Sequence, residues 1–138
     1  MLLASLSEID RAVRAGWSRD TCDPVDLPDW TPADPSRGQC GTTALVVHDL
    51  LGGELLIARV LRTDGSQQGV HYWNRLAGGV EVDLTREQFS TDEIVQAPQV
   101  ADRPAGNPNR LREQYLLLRG RVRVRETLGL KPIGAGPG

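Results

Sequence analysis

The sequence changes character at a single cysteine, where a proline-rich approach ends and a long apolar run begins. The apolar residues from Cys40 to about Leu51 predict a helix whose surface is wide enough to be largely buried. Gly52 and Gly53 follow this run and predict its end. Any fold for this chain must therefore cover that helix with other elements and begin it at the cysteine.

Length and composition indicate one globular domain. The 138 residues are 39% hydrophobic and 25% charged, with a net charge of −2, so no global field favours nucleic acid or an anionic membrane. We expect one α+β domain over residues 1–128 and a disordered tail over 129–138. No stretch is long enough to span a membrane. The first residues lack the basic segment of a signal peptide, which predicts a cytoplasmic address.

Two cysteines are present, and a reducing compartment predicts that Cys22 and Cys40 are free thiols, although geometry alone leaves a disulfide open. A thiol at a helix N-terminus lies near the positive end of the helix dipole and near unpaired backbone N–H groups. Both favour the thiolate, so Cys40 is a candidate nucleophile. The competing interpretation is a small side chain buried in the first helical turn. Cys22 is expected to pack within the preceding loop, and the alternative is a second thiol that approaches Cys40.

The N-terminal third predicts a short helix and a long loop. Acidic residues after Ser7 and the spacing of the apolar residues predict a helix over 7–16, with Ser7 as its cap. Four prolines break any regular element over 17–37. We expect Trp17 and Trp30 to hold this loop in order, as one wall of a cleft over the cysteine.

After the cysteine helix, the pattern predicts a small antiparallel sheet. Strands are predicted over 54–62, 70–76 and 80–84, and the last two form a hairpin. A final helix is predicted over 109–128, although alternating arginines within it also fit a strand. The expected fold is therefore α+β, with the cysteine helix packed on a small antiparallel sheet and flanked by N- and C-terminal helices.

The sequence offers two histidines as a base for the thiol. His48 lies about 12 Å from Cys40 along the same predicted helix, which is too far for a hydrogen bond. His71 lies on the second predicted strand, and a sheet packed on the cysteine helix is able to present it to the thiol. His71 is therefore the candidate base.

An acid that orients the histidine depends on the length of the hairpin loop. Asp83 shares a strand face with His71 only if the loop has an odd number of residues. A three-residue loop over 76–78 places Asp83 directly opposite His71, and one over 77–79 places it one diagonal away. A two-residue loop would turn Asp83 to the other face.

Cysteine, histidine and aspartate in these elements form the layout of a thiol hydrolase or acyltransferase. Cys40 attacks an acyl carbon, His71 takes and later returns the proton, and Asp83 holds the imidazole in one tautomer. Backbone N–H groups at Cys40 and Gly41, with the Gln39 amide, are candidate donors to the oxyanion. Amide, thioester and ester substrates all remain open.

Four segments together resemble the small bacterial YunG-like family, over about residues 17–89. They are W-T-P-x-D-P-x-x-G-Q-C at 30–40, G-G-E at 52–54, H-Y-W-N at 71–74 and D-L-T-R-x-Q-F at 83–89. The order Cys, His, Asp is similar, more distantly, to papain-like and transglutaminase-like enzymes. That similarity implies their core and a triad of Cys40, His71 and Asp83. Gln39 adjoins the cysteine instead of lying several residues upstream, which departs from the papain pattern.

The remaining candidates concern the surroundings of the triad. Trp30 and Trp73 are candidates to line the substrate pocket, and Trp73 alternatively shields the His–Asp pair. The spacing of cysteines and histidines does not indicate a zinc site, and we expect no metal or cofactor. The expected partner is a small-molecule or peptide acyl substrate, without nucleic acid or membrane. A non-catalytic binding or regulatory module is the alternative function.

Overall fold

The computed structural model describes residues 5–103 and 110–129 of the chain. Helix α1 spans Leu6–Gly16 and begins with a capping box. The hydroxyl of Ser5 accepts from the Glu8 backbone N–H at 3.1 Å, and the Glu8 carboxylate accepts from the Ser5 N–H at 2.8 Å. The sequence predicts Ser7 as the cap of this helix. Ser5 takes that role instead, because a glutamate stands three residues after it.

Helix α2 spans Cys40–Leu51, as the apolar run predicted. Gly38 precedes the helix with φ +73°, and Gly52 ends it with φ +70°. Only glycine adopts such values without strain, so these two positions fix where the helix starts and stops. Most of the helix surface between them is buried.

The sheet is antiparallel and has five strands. They are β1 Glu54–Leu61, β2 Gln67–Arg75, β3 Glu81–Val82, β4 Ile94–Val95 and β5 Gln99–Ala101. The order is β3-β2-β1-β4, and β5 also pairs with β1. The first three strands overlap the predicted ones, but β2 begins three residues earlier than predicted and β3 is limited to two residues. The two short strands β4 and β5 were not predicted, because two or three residues carry no alternating pattern.

The β2–β3 hairpin has a three-residue loop over 77–79. The Leu76 N–H donates to the Val80 carbonyl at 2.7 Å, and Asn74 pairs with Val82. This register places Asp83 one diagonal away from His71 and on the same strand face. Of the two odd-numbered loops considered from the sequence, the second is therefore the one formed.

Helix α3 spans Arg112–Gly129, which settles the choice between helix and strand for this segment. Its buried residues Tyr115, Leu118 and Val122 join the core formed with α1 and α2. The helices α1 and α3 approach closely at Gly16, where a Cβ atom would lie 2.8 Å from Leu118 Cδ1. The predicted tail after residue 129 lies outside the described residues.

The two faces of the sheet are covered differently. Leu55 belongs to the larger core with the helices, and Tyr72 packs against that core. Leu56, Ala58 and Trp73 form a second cluster on the opposite face. The architecture is thus α+β, with the helices on one face of the sheet. Within the described residues, no helix is both long and apolar enough to cross a membrane.

The packing of α3 predicts a large stability difference between neighbouring leucines. Leu118 is 0% exposed and Leu117 is 41% exposed. Leu118→Ala is expected to lower the free energy of unfolding by about 2–5 kcal/mol, because it leaves a cavity between helices. Leu117→Ala is the matched control and is expected to change it by less than about 0.5 kcal/mol. Urea unfolding of both variants checks this, and equal losses would show that α3 does not pack as described.

Candidate active site

The Cys40 thiol lies at the first residue of α2 and at the outer edge of β2. A hydrogen bond from the Tyr72 backbone reaches the sulfur and favours the thiolate. Strand β2 pairs with β1 along one edge, so the Tyr72 N–H points from the opposite edge of β2, on the side of β3. The thiol is therefore fixed beside the backbone of the residue that follows His71.

Burial raises the pKa of the Cys40 thiol to about 11, and the nearby carboxylates of Asp26 and Asp83 act in the same direction. The position of Cys40 at a helix N-terminus predicts a stabilised thiolate. Here desolvation outweighs the Tyr72 hydrogen bond, so the resting group is a thiol. Attack on an electrophile therefore needs a base that takes the proton during the reaction.

His71 and Asp83 form a close pair beneath the sheet surface. His71 is fully buried, and its Nε2 lies 2.7 Å from Asp83 Oδ2. A carboxylate accepts the Nε2 proton, so neutral His71 carries its lone pair on Nδ1. Among the described residues, Nδ1 has no hydrogen-bond partner. The ring is thus oriented as a base with a free nitrogen.

The surroundings of this pair hold the imidazole in place. Trp73 stacks on the His71 ring at 5.2 Å between centroids, and Phe89 meets it edge-on at 4.8 Å. Arg86 Nε donates to Asp83 Oδ2 at 2.6 Å. Burial raises the pKa of Asp83, but hydrogen bonds from His71 and Arg86 outweigh it and hold that pKa below its usual value. Asp83 is therefore ionised at neutral pH.

The thiol and the imidazole do not share a sheet face. Asn74 donates to the Ala44 carbonyl of α2 at 3.0 Å, so the side chains of Tyr72 and Asn74 face the helix. Alternation puts His71 on the other face, contrary to the expectation that the sheet face would present it to the thiol. Its Nε2 bonds to Asp83, which follows the edge strand β3. Within the described structure, no hydrogen bond joins Cys40 to His71.

A cavity of about 320 Å³ opens beside the thiol. Its wall includes residues of the loop before α2, of α2, of the first two strands and of the turn after β3, and His71 is not among its described lining residues. The lining residues include Asp23, Asp26, Gly38, Cys40, Gly41, Tyr72, Gln88 and Phe89. The prediction that the proline-rich loop forms a wall over Cys40 is thus confirmed by Asp23 and Asp26.

Of the other predicted site residues, Gln39 and Trp30 make hydrogen bonds within the fold. Gln39 is fully buried, and its amide is bonded to Thr21 Oγ1 at 2.8 Å and to the Ser18 carbonyl at 3.0 Å. Trp30 Nε1 donates within its own loop, to the Pro35 carbonyl at 3.1 Å. Of the predicted pocket residues, Gly41 lines the cavity.

Trp73 and Trp17 are also held by specific contacts. Trp73 is buried against His71, and its Nε1 donates to Glu81 Oε1 at 2.7 Å. It therefore shields the His–Asp pair. Trp17 Nε1 donates to Thr43 Oγ1 at 2.9 Å, which ties the proline-rich loop to α2.

Two cavity residues, Asp26 and Gln88, were not singled out as site residues from the sequence. Asp26 lies in a short 3-10 helix over Pro24–Asp29 within the proline-rich loop. Gln88 ends another, over Arg86–Gln88. Gln88 belongs to the D-L-T-R-x-Q-F segment that carries the family resemblance, which was the available signal.

The comparisons with known proteins agree on one family. The chain is 34% identical over 84 residues to the uncharacterized protein YunG of Bacillus subtilis (strain 168), a match over 61% of this chain and 63% of that protein. This match thus spans less than two thirds of that relative. No solved structure matches the chain, and no comparison supports the resemblance to papain-like or transglutaminase-like enzymes. The YunG protein family model matches residues 5–127. The chain therefore belongs to the YunG family.

Proposed function

We propose that this protein is a cysteine-dependent acyl hydrolase or acyltransferase in which Cys40 is the nucleophile. His71 is the base, and Asp83 orients it. The proposal is carried by one observation: the His71–Asp83 pair leaves a buried Nδ1 without a partner, next to the residue whose backbone N–H binds the Cys40 sulfur. Buried polar atoms without partners are uncommon because they cost free energy, and a catalytic role is one reason for a protein to keep such an atom.

The chemical steps follow from these positions. The sulfur of Cys40 forms a bond to the acyl carbon as its proton passes to His71 Nδ1. The bond to the leaving group breaks, and the leaving group takes that proton from the imidazolium, which Asp83 stabilises. Water then releases the acid, or an amine or alcohol takes the acyl group, with His71 again moving the proton. Hydrolysis, transfer and deamidation share the same thioester intermediate.

In the proposed mechanism, the His71 imidazole reaches the Cys40 sulfur around the outer edge of β2. Consecutive Cα atoms lie 3.8 Å apart, so the residue before Tyr72 is close to any group bound to the Tyr72 N–H. Phe89 contacts the imidazole edge and also lines the cavity. A substrate in the cavity is therefore able to contact the Cys40 thiol, and Phe89 lies between the cavity and the His71 imidazole.

A second candidate function is a non-catalytic binding module. It is favoured by the raised pKa of Cys40, because a thiol with a pKa of about 11 is protonated at rest. In this function the cavity binds a small molecule, and the His71–Asp83 pair only satisfies buried polar groups. The two candidates differ in whether Cys40 becomes acylated.

Trapping the thioester tests the proposal. Incubation with p-nitrophenyl acetate is expected to acetylate Cys40, with release of one p-nitrophenolate per acetyl group, as followed by mass spectrometry and absorbance. Cys40→Ser is expected to abolish the modification at this position. Cys22→Ser is the matched control, because Cys22 is 1% exposed and its pKa is raised to about 12. Absence of both acetyl-Cys40 and Cys40-dependent release of p-nitrophenolate in the wild-type protein would favour the binding module.

A further inference from the structure

Gln88 carries a buried amide group that the proposed mechanism does not use. The residue is 5% exposed and lines the cavity beside Cys40. Among the described residues, its Nε2 has no hydrogen-bond partner. A buried amide donor without an acceptor costs free energy, and a ligand oxygen would satisfy it.

The orientation of this amide is set by the backbone. The Gly38 N–H donates to Gln88 Oε1 at 3.0 Å, so the oxygen is identified and Nε2 is the free group. Gly38 lines the Cys40 cavity, which places the amide end of Gln88 on that side. The backbone carbonyl of Gln88 instead accepts from Arg37 at 3.2 Å, at the neighbouring cleft.

Gln88 therefore offers what Gln39 was expected to offer. The Gln39 amide already contacts Thr21 and Ser18, away from the thiol. The Gln88 amide oxygen is bonded to Gly38, which lies two residues before Cys40. Among the described residues, the amide nitrogen has no partner. It is suited to bind the oxygen of an acyl group attacked by the sulfur.

A carboxylate on the same wall complements this donor. Asp26 lines the cavity, and its Oδ2 lies 3.3 Å from where a Cβ atom of Gly38 would be. Its charged contact among the described residues is Arg37 Nε at 3.7 Å, beyond hydrogen-bond distance. Asp26 is therefore able to accept a hydrogen bond from a ligand N–H.

We propose that the cavity binds a carboxamide, with its carbonyl oxygen on Gln88 Nε2 and its N–H on Asp26. This inference rests on the proposed function and names the substrate class. A carboxamide carries an acceptor oxygen and donor N–H groups on the same carbon, which matches a free donor and a free acceptor that both belong to side chains next to Gly38. The Cys40 sulfur bonds to the amide carbon, and ammonia or an amine leaves with the proton carried by His71. Water then converts the thioester to the carboxylic acid.

Two thiol reagents test this inference. Iodoacetamide carries a carboxamide and forms a carbon–sulfur bond with loss of iodide. Methyl methanethiosulfonate carries none and forms a disulfide with loss of methanesulfinate. The measured quantity is the ratio of the two rates at Cys40. Gln88→Glu keeps an acceptor for the Gly38 N–H but removes the donor, and it is expected to lower this ratio about five- to tenfold.

Gln99→Glu adds the same charge on an exposed residue of β5 and is expected to leave the ratio unchanged. Equal ratios in Gln88→Glu and Gln99→Glu would overturn the inference. Asp26→Asn gives an independent measurement: it is expected to reduce the preference of Cys40 for iodoacetamide over iodoacetate, and an unchanged preference would overturn the role of Asp26.

Failure of the proposed function is distinguishable from failure of this inference. If His71→Ala leaves the rate of methyl methanethiosulfonate unchanged, the base assignment fails. If that rate falls in His71→Ala, but the reagent preferences of Cys40 are unchanged in Gln88→Glu and Asp26→Asn, only the carboxamide assignment fails.

Discussion

His71→Ala is expected to lower the rate of Cys40 acetylation by p-nitrophenyl acetate by about 100-fold or more at neutral pH. The reason is that the thiol, with a pKa raised to about 11, is protonated at rest and needs a base. General base catalysis by a positioned side chain contributes about 10²–10⁴-fold. Stopped-flow release of p-nitrophenolate measures the change.

The acetylation rate of Asp83 variants tests whether His71 and Asp83 act as a unit. Asp83→Asn is expected to retain the shape of the pair but to hold the wrong imidazole tautomer, and to slow acetylation by a similar order. The double variant is expected to be little slower than either single one, because removing one partner leaves the other idle. Additive losses would contradict a unit of His71 and Asp83.

The other histidine provides the control. His48 contacts the Gly53 carbonyl at 3.2 Å and Arg103 at 2.9 Å, away from the thiol. His48→Ala is expected to leave the acetylation rate unchanged. A loss of similar size in both histidine variants would point to a general structural effect, and an unchanged rate in His71→Ala would contradict the proposed base.

The parts of the site that the sequence predicted depend on local rules. The helix from Cys40 to Leu51 follows from an apolar run with glycines at its ends, and these bounds are confirmed. The hairpin offered a small number of loop lengths, so the diagonal position of Asp83 was among few alternatives. Strand alternation also puts Asn74 and His71 on opposite faces of β2, and the bond from Asn74 to α2 agrees with this.

The parts that the sequence did not predict depend on tertiary packing. Which face of β2 meets α2 is decided by long-range contacts, so the sheet face of His71 could not be read from alternation alone. The raised pKa of Cys40 arises from burial by elements distant in sequence, which its position at a helix terminus does not predict. The free amide of Gln88 depends on its contact with Gly38, 50 residues away.

Glu93→Gln is expected to lower the free energy of unfolding by about 3 kcal/mol, the second large effect. Arg37 donates to both Glu93 oxygens, at 3.0 and 3.1 Å, and both side chains are largely buried. Loss of one partner leaves the Arg37 charge poorly compensated. Glu87→Gln is the matched control: Glu87 pairs with Arg14 but is 51% exposed, so a loss below about 1 kcal/mol is expected.

The same ion pair predicts a pH dependence. Burial raises the pKa of Glu93, but hydrogen bonds from Arg37 outweigh it and hold that pKa below its usual value. A carboxylate with a lowered folded pKa stabilises the protein above its unfolded pKa of about 4.3, and this contribution is lost as the pH falls through the folded value. The stability difference between wild type and Glu93→Gln is therefore expected to be constant above about pH 5 and to shrink below pH 4. Urea unfolding at a series of pH values measures it, and a difference that stays constant into acid would mean that the ionised carboxylate does not hold Arg37.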